Sequence, residues 1–154
     1  MRVIIYCGIA ALMIGMVSCK SLQKNKSASD TAGVAGMEKM IVEKYWKLTH
    51  LFGEAIVTPE GGKDAFLILK QENNRVNGNT GCNAMSGTYT LQAGNKIRFS
   101  QMVTTRMMCL NITTETKFNQ ALEKADNFVV NGDILLINDA NKQPLARFEA
   151  VYLR

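Results

Sequence analysis

The sequence predicts an α+β domain made mostly of antiparallel β-strands, with one amphipathic helix packed on the sheet. From about Met37 onward, short apolar runs alternate with turn residues at intervals typical of a β-rich domain. Between residues 113 and 125, apolar residues instead recur at helical spacing. At 154 residues with 47% hydrophobic content, the chain has room for one domain with its own core.

Nine strands are predicted, each an apolar run bounded by turn residues. In chain order they cover residues 45–51, 54–58, 65–71, 75–80, 87–91, 96–102, 127–130, 133–137 and 145–152. Asn131-Gly132 lies between two apolar runs and predicts a hairpin with a type I′ turn. Ala93-Gly94-Asn95 similarly joins the fifth and sixth strands.

The predicted helix has one apolar face, formed by Phe118, Ala121, Leu122 and Ala125. Thr113 or Thr114 can cap its first turn, which also contains Glu115. Residues 37–44 are a weaker candidate for a second, short helix that leads into Trp46.

The first 18 residues have the three parts of a secretion signal: Arg2, an apolar run of about 15 residues, and the small residue Ser18. A membrane-spanning helix needs roughly 20 apolar residues. Met16-Val17-Ser18-Cys19 resembles a lipobox, after which lipoprotein signal peptidase cuts and whose cysteine receives acyl chains. We therefore expect a lipoprotein anchored through Cys19. A retained membrane anchor, or an ordinary signal peptide with an incidental cysteine, is the alternative.

The chain is expected to have three parts: a lipoprotein signal peptide at 1–18, the lipidated cysteine and a flexible tether at 19–36, and a folded domain at 37–154. Residues 20–36 are rich in Lys, Ser, Ala, Asn and Gly and lack an apolar period, which is typical of a linker. Lys20 differs from the Asp that favours inner-membrane retention in enteric bacteria. The expected location is therefore the cell envelope, at the outer membrane.

The cysteines fit an exported protein. Cys7 leaves with the leader and Cys19 carries lipid, so the domain keeps Cys82 and Cys109. An even pair in an oxidising compartment predicts a disulfide. It would close a loop of about 28 residues and contribute roughly 3 to 4 kcal/mol of stability.

The formal net charge is +5, and much of the excess lies near the anchor. A basic tether is attracted to an anionic membrane by about 1 kcal/mol per charge, although a solvated linker explains it equally well. Basic and aromatic residues do not alternate in a stripe, so nucleic acid is not an expected partner.

Three segments carry a resemblance to a known family: residues 45–48, residues 77–83 leading to Gly87-Thr88-Tyr89, and residues 102–109. Glu115, Phe118 and Leu122 follow on the predicted helix. Together they resemble the META domain family, also called HslJ-like after a heat-inducible bacterial protein. The resemblance implies an incomplete small β-barrel or strongly bent antiparallel sheet with a helix against it. It also implies an envelope setting associated with stress response, and it brings no catalytic residues.

Taken alone, the residues of these motifs favour a mainly structural role. Gly78 and Gly81 suit backbone with positive φ, and the Asn83 side chain can bridge a turn. A candidate binding surface comprises Asn83, Thr105, Arg106 and Met107. Arg106 could clamp a carboxylate or pair with Glu115. Met102, Met107 and Met108 could form an adaptable apolar contact site or pack in the core.

No enzymatic constellation is evident. His50 is the only histidine, and two cysteines with one histidine lack a fourth zinc ligand, so neither metal nor cofactor is expected. The expected function is a non-enzymatic, membrane-anchored envelope lipoprotein with a protein-binding or stress-response role. A small-ligand or protease-inhibitor module would need an apolar cavity near Thr105 and Arg106. A thiol-dependent enzyme would need Cys82 as a free thiolate.

Overall fold

The structure, a computed structural model, describes residues 28–109 and 112–152. The predicted signal peptide, the lipid attachment at Cys19 and the first part of the tether lie outside these residues. Within them, none of the helices has both the length and the apolar character needed to cross a membrane.

In this part of the chain, two helices and nine strands form. They are α1 (Ala28–Ile41), β1 (Tyr45–Leu51), β2 (Glu54–Ala55), β3 (Ala65–Leu69), β4 (Arg75–Thr80), β5 (Ala84–Gln92), β6 (Lys96–Thr104), α2 (Ile112–Glu123), β7 (Asn127–Asn131), β8 (Ile134–Asn138) and β9 (Pro144–Val151). A single 3-10 turn, Glu72–Asn74, precedes β4.

The strands form one antiparallel sheet that closes on itself. Strands β3 to β9 follow one another as neighbours, and β1 pairs with both β3 and β9. The β1–β9 pairing runs from Tyr45↔Val151 to Leu51↔Ala146. Eight strands therefore make a closed barrel, with β2 as a short extension on β1. The predicted antiparallel α+β class is confirmed, but the predicted incomplete barrel is wrong, because β9 pairs along the whole length of β1.

Apolar side chains fill the barrel. The largest fully buried ones are Trp46, Tyr89, Phe118, Phe128 and Phe148. Helix α2 buries Phe118, Ala121 and Leu122, and the Phe118 ring lies 5.8 Å from that of Phe148. Helix α2 connects β6 to β7, which share only the pair Lys96↔Asn127, and it packs against β6, β1, β4 and β9.

The buried Trp46 connects the end of α1 to the barrel, and the buried Tyr89 connects β5 to the segment after β3. The Trp46 indole nitrogen donates a hydrogen bond of 2.8 Å to the carbonyl of Ile41, the last residue of α1. The Tyr89 hydroxyl donates to the Lys70 carbonyl at 3.2 Å. Burial raises the pKa of Tyr89 to about 12, and the carboxylates of Glu38 and Glu43 add to this effect.

Helix α1 corrects two expectations. The sequence predicts one helix packed on the sheet and only a weak, short second helix at 37–44, whereas the second helix forms over Ala28–Ile41. It also predicted an unstructured tether through residue 36, whereas residues 28–36 are helical. Ala28, Ala32 and Ala35 have high helix propensity, and Ile41 anchors the helix end because it is fully buried.

Two local predictions also need correction. The β7–β8 hairpin forms, but Asn131 pairs with Ile134, so the loop residues are Gly132 and Asp133. Only Gly132 has positive φ there, which excludes a type I′ turn. Gly81 has a positive φ, +96°, as predicted, but Gly78 does not. Gly78 is needed because an added Cβ would lie 2.4 Å from a backbone oxygen of β3.

Candidate binding groove beside the disulfide

A disulfide joins the β4–β5 turn to the segment that follows β6. The sulfurs of Cys82 and Cys109 are bonded, with 6.1 Å between the Cα atoms. This is the predicted pairing. Because its sulfur is bonded, Cys82 does not present the free thiolate that the thiol-enzyme hypothesis requires.

Asn83 is the centre of a hydrogen-bond network under the disulfide. Its amide nitrogen donates to the Glu115 carboxylate at 2.8 Å and to the Cys109 sulfur at 3.2 Å. Its amide oxygen accepts from the Thr105 hydroxyl and from the Met107 backbone nitrogen, both at 2.8 Å. Only a side chain that both donates and accepts can make this set. Asn83 is 3% exposed, so its predicted place on a binding surface is wrong.

Glu115 connects the network to α2. Its carboxylate accepts hydrogen bonds from Asn83 and from the buried Thr80 hydroxyl, the latter at 2.9 Å. The alternative pairing of Glu115 with Arg106 does not form. The Arg106 side chain is exposed and forms no ion pair with any residue that the structure describes. It is therefore available to an outside carboxylate.

A groove of about 370 Å³ opens beside the disulfide. One wall is the loop between β2 and β3, and the other is the segment at 107–109. Its lining includes Ile56, Val57, Pro59, Lys63, Met107 and Met108. Val57 is 83% exposed, Met107 is 53% exposed and Met108 is fully exposed. Clustered exposed apolar side chains of this kind mark interaction sites more often than single ones do.

An ion pair and a hydrogen bond hold the loop between β2 and β3, which forms one wall of the groove. The Thr58 hydroxyl donates to the Asp64 carboxylate at 2.9 Å, and the Lys47 ammonium lies 2.8 Å from the same oxygen. The hydrogen bond from Lys47 is the main cause that lowers the pKa of Asp64. The ion pair is half exposed, so it orients the loop more than it stabilises the fold.

The predicted surface residues have different places in the structure. Met107 lines the groove. Thr105 is exposed, but its hydroxyl also accepts from the Ala84 backbone nitrogen at 3.1 Å, so it serves the frame. The loop at 56–63 was not predicted as part of a site. The sequence feature that indicates this loop is Val57, an apolar residue in a stretch that contains proline and glycine.

His50 does not take part in this site. It lies on β1, where its Nδ1 is 3.1 Å from the Thr49 hydroxyl. Across the ranges described, no three His, Cys, Asp or Glu side chains are placed to hold a metal ion.

A closed eight-stranded antiparallel barrel with a helix packed against it defines a class of small α+β barrel domains. The META domain model matches residues 39–152, so the chain belongs to the META domain family, as the sequence motifs indicated. No curated protein matches the chain.

Solved structures with a similar fold include an NMR structure of a protein from Burkholderia xenovorans, 22% identical, with a TM-score of 0.61 over 77% of this chain and 88% of that one. Another NMR structure is 18% identical, with a TM-score of 0.57 over 72% of this chain and 92% of the other. The crystal structure of a DUF4847 family protein from Bacteroides vulgatus is 13% identical, with a TM-score of 0.56 over 77% and 100%. These likenesses show the fold alone.

Proposed function

We propose that this META domain protein is a lipid-anchored protein of the cell envelope that binds an extended apolar segment of another protein, and that it catalyses no reaction. The groove beside the disulfide is the proposed binding site. The observation that carries the proposal is the exposure of Val57, Met107 and Met108 around one groove.

The disulfide and the hydrogen bonds of Asn83 hold the groove in a fixed shape, which favours binding. The disulfide and the Asn83 network hold the backbone of residues 105–109 in place, so little backbone freedom is lost when a partner binds. The methionine side chains above it are unbranched and polarisable, and they can adapt to different apolar side chains. Lys63, on the opposite wall, and Arg106, near the Met107 side, add positive charge that suits a carboxylate in the bound segment.

The anchor part of the proposal rests on Met16-Val17-Ser18-Cys19 and the apolar run before it. Mass spectrometry of the mature protein should find an acylated N-terminal Cys19, and Cys19→Ser should abolish acylation. An unmodified N-terminus at another residue would contradict the anchor. Membrane fractionation of the same samples tests the proposed outer-membrane location.

The stress-response setting is supported by the family and is tested together with binding. A photo-cross-linking amino acid at Met108 in intact cells should trap a partner protein, most strongly during heat or envelope-directed drug stress. The same amino acid at Val129, which is 45% exposed on β7, is the matched control. Met107→Asp should reduce the Met108 product. Equal products from both positions, or none under stress, would contradict the proposal.

A small-ligand or protease-inhibitor module has weaker support. That alternative needs an apolar chamber at the barrel mouth near Thr105 and Arg106. Large side chains such as Phe128 and Phe148 instead fill the barrel, and the groove lies between the loop at 56–63 and the segment at 107–109. The groove suits side chains of a peptide better than an enclosed ligand, because enclosed sites bury most of a small ligand's surface.

A further inference from the structure

We propose that the outer face of strands β4 to β6 docks on anionic lipid headgroups of the membrane that holds the chain, and that this turns the groove away from the bilayer. The inference rests on the lipid anchor of the proposed function. It adds which surface faces the membrane and which lipid chemistry that surface recognises.

The face is polar and has no negative charge of its own. Strands β4, β5 and β6 contain no Asp or Glu. Buried residues such as Tyr89 and Ile97 point into the barrel, and the alternate residues point outward. The outward positions include Arg75, Thr88, Thr90, Lys96, Arg98 and Ser100. Hydroxyl groups therefore separate three basic side chains.

Two of these cations are available to a ligand. Arg75 and Arg98 are exposed and form no ion pair within the ranges described, whereas Lys96 pairs with Asp126. The Asp126 carboxylate also interacts electrostatically with Arg98, so it offsets one of the positive charges at this edge. The other acidic residue at the edge is Glu72, in the 3-10 turn before β4. The register pairs Arg75 with Thr88 and Thr90 with Arg98. The two arginines are therefore two strand spacings apart across β5 and offset by two residues, which puts their Cα atoms roughly 12 Å apart. Guanidinium groups bind phosphate oxygens in bidentate geometry.

The chain joins the barrel near Arg75, at the start of β4. After α1, the Glu43 carboxylate accepts hydrogen bonds from the Lys70 ammonium at 2.7 Å and the Gln71 backbone at 3.0 Å. The Lys70 backbone nitrogen donates to the Arg75 carbonyl at 2.7 Å. The end of α1 therefore lies beside Arg75. The disulfide follows Thr80 at the other end of β4, about 17 Å away along the strand.

The short tether makes weak docking effective. Cys19 precedes the start of α1 at Ala28 by about nine residues, which span at most roughly 30 Å. A domain held this close to a surface meets it at high effective concentration. Each basic residue near an anionic membrane strengthens association roughly fivefold, so the two free arginines suffice to bias the orientation.

Trp46, the single tryptophan, offers a direct readout. The mature lipidated protein is reconstituted into phosphatidylcholine vesicles with or without phosphatidylglycerol, each containing dansyl-labelled headgroups. Energy transfer from Trp46 should be greater in the anionic vesicles, and high salt should remove the difference. Arg75→Glu with Arg98→Glu should weaken docking by at least tenfold and return transfer to its neutral-vesicle level. Arg75→Gln with Arg98→Gln should give a smaller decrease.

Lys63→Glu with Arg106→Glu makes the same change in net charge at the groove end and should leave energy transfer unchanged. Circular dichroism checks that each variant folds. Flotation separates the two levels of the proposal. If the protein does not float with neutral vesicles, the lipid anchor fails and this inference fails with it. If it floats, then equal transfer in both vesicle types, or an equal loss in the control variant, overturns the docking face alone.

Discussion

Replacing Asn83 with alanine should destabilise the domain more than any other single polar substitution around the groove. The change removes the amide that holds Glu115, Thr105 and the Met107 backbone nitrogen, each at 2.8 Å. A hydrogen bond to a carboxylate contributes about 1.5 to 3 kcal/mol, and a neutral one about 1 kcal/mol. Thr105 is exposed and can bond to water instead, which favours the lower part of the range. We expect a loss of about 3 kcal/mol.

The assay is equilibrium urea unfolding of the oxidised protein at neutral pH, with thermal unfolding as a second measurement. A loss of about 3 kcal/mol corresponds to a fall in Tm of roughly 10 °C for a domain of this size. Asn141→Ala is the matched control, because Asn141 is exposed in the β8–β9 turn and uses only its backbone nitrogen for a hydrogen bond, at 2.9 Å. A loss below 1 kcal/mol for Asn83→Ala, or equal losses in both variants, would refute the network as the support of the groove.

Three further predictions concern stability and pH. Replacing Cys82 and Cys109 with serine should lower the free energy of unfolding by roughly 3 to 4 kcal/mol, since the bond spans 27 positions. Urea denaturation of the variant and the disulfide-bonded protein in parallel measures this loss, and a loss below 1 kcal/mol would contradict the prediction. The pKa of Tyr89 is raised from 10.0 to about 12, so its contribution to stability is full below pH 10 and is lost as pH rises towards 12. Tyrosinate absorbance should show this late titration, and the Tyr89→Phe variant should lack it. Lys47 lowers the pKa of Asp64 from 3.8, so the contribution of Asp64 to stability is full above pH 3.8 and is lost as pH falls further. An NMR titration of Asp64 should give a midpoint below 3.8, and this midpoint should rise in Lys47→Met. An unchanged midpoint in the variant would exclude the ion pair.

Local pattern was sufficient for most of the elements. Strands β1 and β4 have the predicted bounds because turn residues with positive φ flank them: Gly53 follows β1, Asn74 precedes β4 and Gly81 follows β4. Strand β5 begins at Ala84, three residues before the predicted start, since Gly87 lies inside the strand at a bulge. An added Cβ on Gly87 would lie 3.0 Å from the Ser100 backbone oxygen, so its glycine serves close packing and not a strand end.

Features that depend on distant parts of the chain could not be predicted in this way. Barrel closure rests on pairs such as Tyr45↔Val151, and nothing in either strand alone specifies the other. The sequence places Asn83 on a candidate binding surface, since the turn motif does not show which residues cover it. Its burial requires the disulfide and residues 105–109 to fold over it, which only the three-dimensional arrangement shows.

The disulfide, the Asn83 network and the charged base of the loop give the groove two firmly held walls. In the proposed orientation, the basic face of β4 to β6 meets the membrane while Val57 and Met108 point away from it. A partner segment would then reach the groove from the side opposite the lipid anchor. Partner binding and membrane docking would use opposite ends of β4, so a substitution at one end should leave the other process intact.

The central claim is that the groove beside the disulfide binds a protein segment, and hydrogen–deuterium exchange of the full, lipidated protein with its cross-linked partner tests it most directly. Binding should slow exchange in residues 56–63 and 107–109, and leave exchange in β7 and β8 unchanged. Protection confined to β7 and β8, or no protection at either wall of the groove, would contradict the account.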